Sequence, residues 1–265
     1  MDTSWLSRSE LLIGKEGIDV LGAAHVLVVG LGGVGSYAAE FIARAGVGTM
    51  TIVDGDVVDP TNRNRQLPAL ATNHGVLKAE IMAERLLAIN PELKLNVVKT
   101  FLTPEKCREI LSVRFDYVMD CIDSITPKLT LLQTAYNSQQ RIVSSMGAGG
   151  KMDPTQLKVI DLTDTYQCLF AQYVRKRARK LSIGKGIKAV FSTEVVNKDS
   201  LILTDGSNFK RSAYGTISYL PATFGSVCAS VVIRDLLGQP IPLHTRPKEI
   251  DLKTIQKRKE KERRL

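Results

Sequence analysis

The sequence predicts an α/β fold: a Rossmann-like doubly wound sheet, parallel in its N-terminal half, with an antiparallel C-terminal continuation. Three observations predict it. Four aliphatic residues in succession, Val26, Leu27, Val28 and Val29, read as a strand buried on both faces. Gly30, Gly32 and Gly35 then form a G-x-G-x-x-G turn that opens into a helical pattern over residues 36–45. Strand-like and helical runs go on alternating as far as Ser145, as successive βα units require.

Before the turn, residues 4–21 read as a leading helix, with Leu6, Leu11, Leu12, Ile13, Ile18 and Leu21 spaced to pack on the main body. After it, 50–54 is a second strand, ending in Asp54-Gly55-Asp56. An irregular polar run over 59–67 leads to a helix at 76–89, a strand at 95–99, and a helix at 104–111 started by Thr103 and Pro104. A strand at 117–122, a helix at 127–137 and a strand at 141–145 complete the doubly wound half, which Gly147-Ala148-Gly149-Gly150 then interrupts. Strands expected at 157–161, 189–193 and 201–204 supply the antiparallel continuation. The basic stretch 172–188 lies between the first two, as a helix and a Gly184-Lys185-Gly186 loop. An irregular crossover at 205–220 and a helix at 221–237 follow. The expected organisation is one nucleotide-binding domain over 1–238 and a basic tail over 239–265.

Composition narrows the function classes. The chain has 265 residues, of which 44% are hydrophobic, enough for a sizeable core. It shows neither a signal-peptide pattern nor a long apolar run, so no stable membrane insertion is expected and a cytoplasmic location is. Cys107, Cys121, Cys168 and Cys228 are widely spaced without a C-x-x-C pair, which argues against a zinc knuckle and for reduced, packed thiols. The net charge of +9 is concentrated in two places. Residues 175–188 carry seven basic side chains and no acid; residues 246–265 carry nine basic and four acidic ones, which leaves the body near −3. Basic segments on a mildly acidic body suit a polyanion such as RNA, and are equally what a solvated helix and tail would show.

The glycine turn demands tight geometry and offers bare backbone and a helix N-terminus to an anion, although glycines can also serve close packing alone. Asp54, at the end of the second strand, has the position of a ribose ligand, which by itself permits an NAD-binding module. Asn62-Arg63-Asn64-Arg65-Gln66 and Lys78 place more positive charge near that edge than a pyrophosphate requires, and point to a triphosphate. Asp123, beyond the strand at 117–122, would be repelled by phosphates unless a hard cation intervened. It is therefore a Mg²⁺ candidate, or alternatively a helix cap. His25, His74 and His244 show no ligand spacing.

Taken together, Gly30 to Gly35, Asp54-Gly55-Asp56, Asn62 to Gln66, Lys78-Ala79-Glu80 and Asp120-Cys121-Ile122-Asp123 resemble the ubiquitin-activating-like adenylyltransferases of the ThiF and MoeB type. Arg8 to Gly14, Gly147 to Gly150 with Asp153-Pro154-Thr155, Phe191 to Glu194 and Ala222 to Gly225 are similar to the branch that dehydrates threonylcarbamoyladenosine in tRNA. The resemblance covers about residues 4–238. It implies ATP and Mg²⁺ as cofactors, tRNA carrying threonylcarbamoyladenosine as substrate, a homodimer, and a cysteine desulfurase or sulfur-acceptor partner. It implies activation of a carboxylate as an acyl adenylate, followed by cyclisation with loss of AMP. By motif, Gly30, Gly32, Gly33, Gly35, Asp54 and Asp56 line the nucleotide, and Asn62, Arg65 and Lys78 contact phosphate. Arg65, Lys78 and Asp123 carry the chemistry, with Asp123 serving the metal and Arg8 reaching a partner's site. The absent C-x-x-C pairs set the chain apart from sulfur-carrier activators, which remain the alternative.

Overall fold

The computed structural model describes residues 4–203 and 212–247. A short 3₁₀ turn leads into α1 (Ser7–Ala23), and the nucleotide-binding half follows as β1 (His25–Val29), α2 (Gly35–Arg44), β2 (Thr49–Val53), α3 (Lys78–Ile89), β3 (Lys94–Val98), α4 (Pro104–Ile110), β4 (Tyr117–Asp120), α5 (Ile125–Asn137) and β5 (Ile142–Ser145). Then come β6 (Leu157–Asp161), α6 (Leu169–Lys180), β7 (Lys188–Ser192), β8 (Leu201–Leu203), β9 (Ser212–Tyr214) and α7 (Tyr219–Leu236).

Seven strands form one sheet in the order β3-β2-β1-β4-β5-β7-β6. All neighbours are parallel except the β6–β7 pair. Two apolar layers explain why β4 and β5 are buried along their whole length: α2, α3 and α7 cover one face, and α4, α5 and α6 the other. The chain reverses direction across the sheet between β1 and β4, the place where a crevice opens in such folds. Register makes that crevice level. Val29 is paired with both Val53 and Asp120, so Gly30, Asp54 and Cys121 leave the sheet in one row.

The C-terminal continuation is antiparallel at a single strand. The expected strand at 189–193 is β7, which lies parallel to β5 and fills the gap between β5 and β6. Asp161 at the end of β6 pairs with Lys188 at the start of β7, so the return through α6 delivers β7 to the end where β6 stopped and fixes its direction. The expected strand at 201–204 does not join the sheet. Leu201–Leu203 pairs with Ser212–Tyr214 in a separate ribbon, and all three of its side chains are exposed; Thr204 lies outside the described residues. The crossover expected at 205–220 therefore includes β9.

Within α1, Gly14 takes φ 71° and breaks the helix, leaving Leu11 and Leu12 84% and 86% exposed. After α7, Ile241 packs on the core beneath α7, and the His244 N–H donates to the Val159 carbonyl of β6 at 2.9 Å. The start of the tail thus crosses the outer sheet edge; the remainder, 248–265, lies outside the described residues. Among the described residues no helix is long and apolar enough to cross a membrane.

Candidate active site

The glycine turn separates into packing positions and one open position. At Gly30, φ is +88° and a Cβ would lie 3.0 Å from the Cys121 carbonyl, so both conformation and the approach of β4 require glycine. A Cβ on Gly35 would sit 1.7 Å from the Gly30 carbonyl oxygen, which excludes every side chain. Gly33 lies against Pro221 at the start of α7, where a Cβ would meet Pro221 Cβ at 2.9 Å. Gly32 is different. Its nearest neighbour would be the Gln66 side chain at 3.8 Å, so packing gives no reason for glycine there, whereas backbone exposed to a ligand does. The N-terminus of α2 opens immediately beyond, without a side-chain cap, and its Ser36 N–H donates to the Gly32 carbonyl at 3.1 Å.

Asp54 holds the turn from the side. Its carboxylate accepts from Leu31 N–H at 2.6 Å and from Asp56 N–H at 2.8 Å. Burial pushes the Asp54 carboxyl above its ordinary value, against those two hydrogen bonds and the charge of Lys78. Each carboxylate oxygen retains a second lone pair for a ribose hydroxyl.

Lys78, the first residue of α3, is buried, and its ammonium lies 2.7 Å from the half-exposed Asp56 carboxylate. The backbone repeats the link, Lys78 N–H donating to the Asp56 carbonyl at 3.0 Å. An ammonium has three donors, so the ion pair positions Lys78 at this edge and leaves donor capacity for phosphate. The Asn62 side-chain oxygen accepts from Asp59 N–H at 3.2 Å in a capping box on the 3₁₀ turn Pro60–Asn62, a bond that holds the loop and uses the amide oxygen, not the amide donors.

Arg65 is anchored by hydrogen bonds from Nη1 to the Thr61 carbonyl (2.9 Å) and to Asn64 Oδ1 (2.8 Å). Burial lowers its guanidinium from the ordinary value, and the facing carboxylates of Asp123 and then Asp59 oppose the shift. Arg65 and Asp123 are thus near enough for their charges to interact. Asp123 is exposed, in the β4–α5 turn just ahead of Ser124, the residue that precedes α5. Arg63 is exposed on the outer side of the loop, beside an open depression of about 570 Å³ that it lines with Asn64 and Leu70.

Two features escaped the motif reading. Gln66 Oε1 is buried without a hydrogen-bond partner among the described residues, beside the open position at Gly32, and a bound group could complete it. Below the β4–α5 turn, Lys128 donates to Asp120 Oδ2 (2.6 Å), Ser144 Oγ (3.2 Å) and the Ser145 carbonyl (2.9 Å), with both charged side chains fully buried. A signal for Lys128 existed: it falls at helical spacing with the buried Leu131, Leu132 and Ala135. Cys168 immediately precedes α6 and is buried, as expected of a packed thiol, with Lys151 Nζ 3.5 Å from its sulfur.

The arrangement is a nucleotide cradle with cationic side chains on one rim and a carboxylate opposite. The chain is 40% identical over 245 residues to the tRNA threonylcarbamoyladenosine dehydratase of Escherichia coli K12, covering 86% of this chain and 91% of that protein. It is 38% identical over 238 residues to the Bacillus subtilis dehydratase of the same name, covering 87% and 94%. Crystal structures of the E. coli dehydratase in complex with ATP and with AMP both superpose with a TM-score of 0.81 at 38% identity; the ATP complex covers 89% of this chain and 95% of that one. The ThiF family model matches residues 6–264, and the chain belongs to the ThiF family.

Proposed function

We propose that the chain is an ATP-dependent dehydratase acting on threonylcarbamoyladenosine in tRNA. The observation that carries this reading is likeness along nearly the whole length of dehydratases of that name, one of them solved with ATP, together with a cradle whose open glycine, Gly32, lies beside the Gln66 side chain, whose buried Oε1 has no hydrogen-bond partner among the described residues. In this reading the substrate carboxylate attacks the α-phosphorus of ATP and pyrophosphate leaves. The ureido group of the same substrate then attacks the acyl adenylate, AMP departs and a ring closes, so one water is lost overall. No protein nucleophile is needed.

The chain's residues act by placement and charge. Asp54 accepts from the ribose, Gly32 and the α2 N-terminus meet phosphate, and Arg65 and Lys78 lower the repulsion between carboxylate and phosphate. Among the described residues no group of three or more His, Cys, Asp or Glu could hold a metal ion alone. Mg²⁺ fits nonetheless, because it commonly binds through one or two carboxylates plus substrate phosphates, and Asp123 offers one at the right edge. When bound it would neutralise phosphate charge.

A homodimer belongs to this reading, since bare side chains such as Leu11 and Leu12 on α1 are expected to be covered. A cytoplasmic setting and a sulfur-handling partner enter with the substrate class. Incubation with ATP, Mg²⁺ and tRNA bearing threonylcarbamoyladenosine should yield a nucleoside lighter by one water. Unchanged nucleoside mass in protein that binds ATP would refute the reading. Pyrophosphate exchange that depends on a small carrier protein and not on tRNA would instead favour sulfur-carrier activation. That alternative is consistent with 35% identity to a Candida glabrata adenylyltransferase and sulfurtransferase over 56% of this chain, although only 34% of that protein is covered.

A further inference from the structure

The loop that carries Arg65 is tied by the side chain of Asn64 to a segment 152 residues further along the chain. Its amide is used at both ends. Oδ1 accepts from Arg65 Nη1 at 2.8 Å, and Nδ2 donates to the Thr216 carbonyl at 2.9 Å. The two bonds specify each other. Were the amide turned over, its NH₂ would face a guanidinium N–H and its oxygen would face a carbonyl, so both contacts would become repulsive together. Asn64 presents its acceptor to Arg65 because the Thr216 carbonyl claims its donor.

Thr216 is itself held by a loop on the other side of the β1–β4 switch point. It lies between β9 and α7, where the Gly150 N–H donates to the adjacent Gly215 carbonyl at 2.8 Å and Thr216 Oγ1 donates to the Tyr214 carbonyl at 3.0 Å. Gly149 lets this segment approach closely: a Cβ there would lie 2.9 Å from Tyr214 Cβ and 3.4 Å from Thr216 Oγ1. The loop after β5 therefore sets where the Thr216 carbonyl stands. A line of contacts runs from Gly149 and Gly150 through residues 214–216 to Asn64, and ends on the guanidinium.

What Asn64 does for Arg65 follows from the donors. A guanidinium carries five N–H groups in one plane. The Thr61 carbonyl, at 2.9 Å, and Asn64 Oδ1 occupy the two on Nη1, which leaves Nε and Nη2 without a hydrogen bond among the described residues. Those remaining N–H groups form the fork that an anion in the site would meet. With Thr61 alone, the plane could swing about one bond; the second acceptor fixes it.

We infer that Asn64 is a positioning residue, which couples segment 214–216 to the orientation of the Arg65 guanidinium. The inference rests on the role proposed above for Arg65 and adds the residue through which the loop after β5 reaches it. Because Asn64 is exposed, water competes for both of its bonds, and a shift of segment 214–216 releases the guanidinium.

The test is a double-mutant cycle of N64A and R65A in the full-length protein, read by single-turnover formation of the dehydrated nucleoside and by calorimetric ATP affinity. N64A should slow turnover about tenfold, the effect of one hydrogen bond to a charged group, and change ATP affinity less than about threefold. Added to R65A, it should cost nothing further. Amide hydrogen exchange over residues 214–218 should quicken in N64A. Wild-type turnover in N64A, or an equal loss in the R65A background, would overturn the positioning role. Unchanged exchange over 214–218 would overturn the coupling to that segment. A wild-type protein that binds ATP and forms no dehydrated nucleoside would refute the substrate reading instead, and the exchange comparison would then decide the coupling by itself.

Discussion

The ammonium of Lys128 lies 2.6 Å from the carboxylate of Asp120, with both side chains fully buried beneath the turn that presents Asp123. The pair is completed on every side. Asp120 also accepts from Ile122 N–H (3.1 Å) and Ser144 Oγ (2.6 Å), and Lys128 reaches the Ser145 carbonyl, so the exits of β4 and β5 are tied to one point. Removing one partner strands the other charge. Lys128→Met should lower unfolding stability by about 3 to 5 kcal/mol, as measured by urea denaturation. Adding Asp120→Asn should recover part of that loss, because the two residues share one interaction. A Lys128→Met protein as stable as wild type would show that the buried pair does not hold the exits of β4 and β5 together.

Two glycines of one motif should fail in different ways. Gly35→Ala forces a Cβ to within 1.7 Å of the Gly30 carbonyl, so the strand-to-helix turn has to move. Soluble, cooperatively folding protein should fall sharply and ATP binding should vanish with it. Gly32→Ala meets nothing closer than Gln66 at 3.8 Å, so its melting temperature should stay within a few degrees of wild type while ATP affinity drops at least tenfold. Calorimetric ATP titration beside thermal unfolding separates the cases. Equal ATP affinity in Gly32→Ala and wild type would remove Gly32 from the nucleotide site.

These contrasts show what the sequence makes legible. The turn from 26 to 35 and the following alternation were readable because a doubly buried strand, a glycine spacing and helical periodicity are local patterns. Asp54 was readable for the same reason: its place at the end of a strand is set by local order. The direction of β7 was not, because it depends on where β6 ends, a long-range fact recorded in the Asp161–Lys188 pairing. Nor was the role of Asn62 in its own loop, since a polar residue after Asp59 and Pro60 reads equally as a cap or a ligand. Lys128 was passed over because a lysine is ordinarily assigned to solvent, and only its partners Asp120 and Ser144 explain its burial.

Lys78 and Asp123 should separate binding from turnover. Lys78→Ala deletes a buried cation and leaves the carboxylate of Asp56, 39% exposed, facing the site unpaired. ATP affinity should fall by one to two orders of magnitude and turnover with it. Asp123→Ala removes an exposed carboxylate, so ATP affinity should change less than about fivefold while formation of the dehydrated nucleoside falls at least a hundredfold. Wild-type turnover in Asp123→Ala, measured by nucleoside mass, would remove both its metal role and its place in the chemistry.

The pH dependence of stability should report Glu40, which joins the helix after the glycine turn to the helix that begins with Lys78. Its carboxylate accepts from Arg85 Nε on α3 at 2.5 Å and from Arg44 Nε on α2 at 2.8 Å. Burial acts to raise the Glu40 carboxyl, but the hydrogen bonds and charges of Arg85 and Arg44 outweigh it and hold the group below its ordinary 4.5. A carboxyl depressed in the folded state stabilises the fold above its unfolded value, and that contribution disappears as pH falls through the folded one. Glu40→Gln should therefore be less stable than wild type at pH 7, by about 1 kcal/mol because both arginines are partly exposed and screened. The gap should be constant down to about pH 4.5 and close below it, as wild-type Glu40 takes up its proton. Thermal unfolding of both proteins from pH 7 to pH 3 measures it, and a gap that widens on acidification would mean that Glu40 is not held as the shared anion of the two helices.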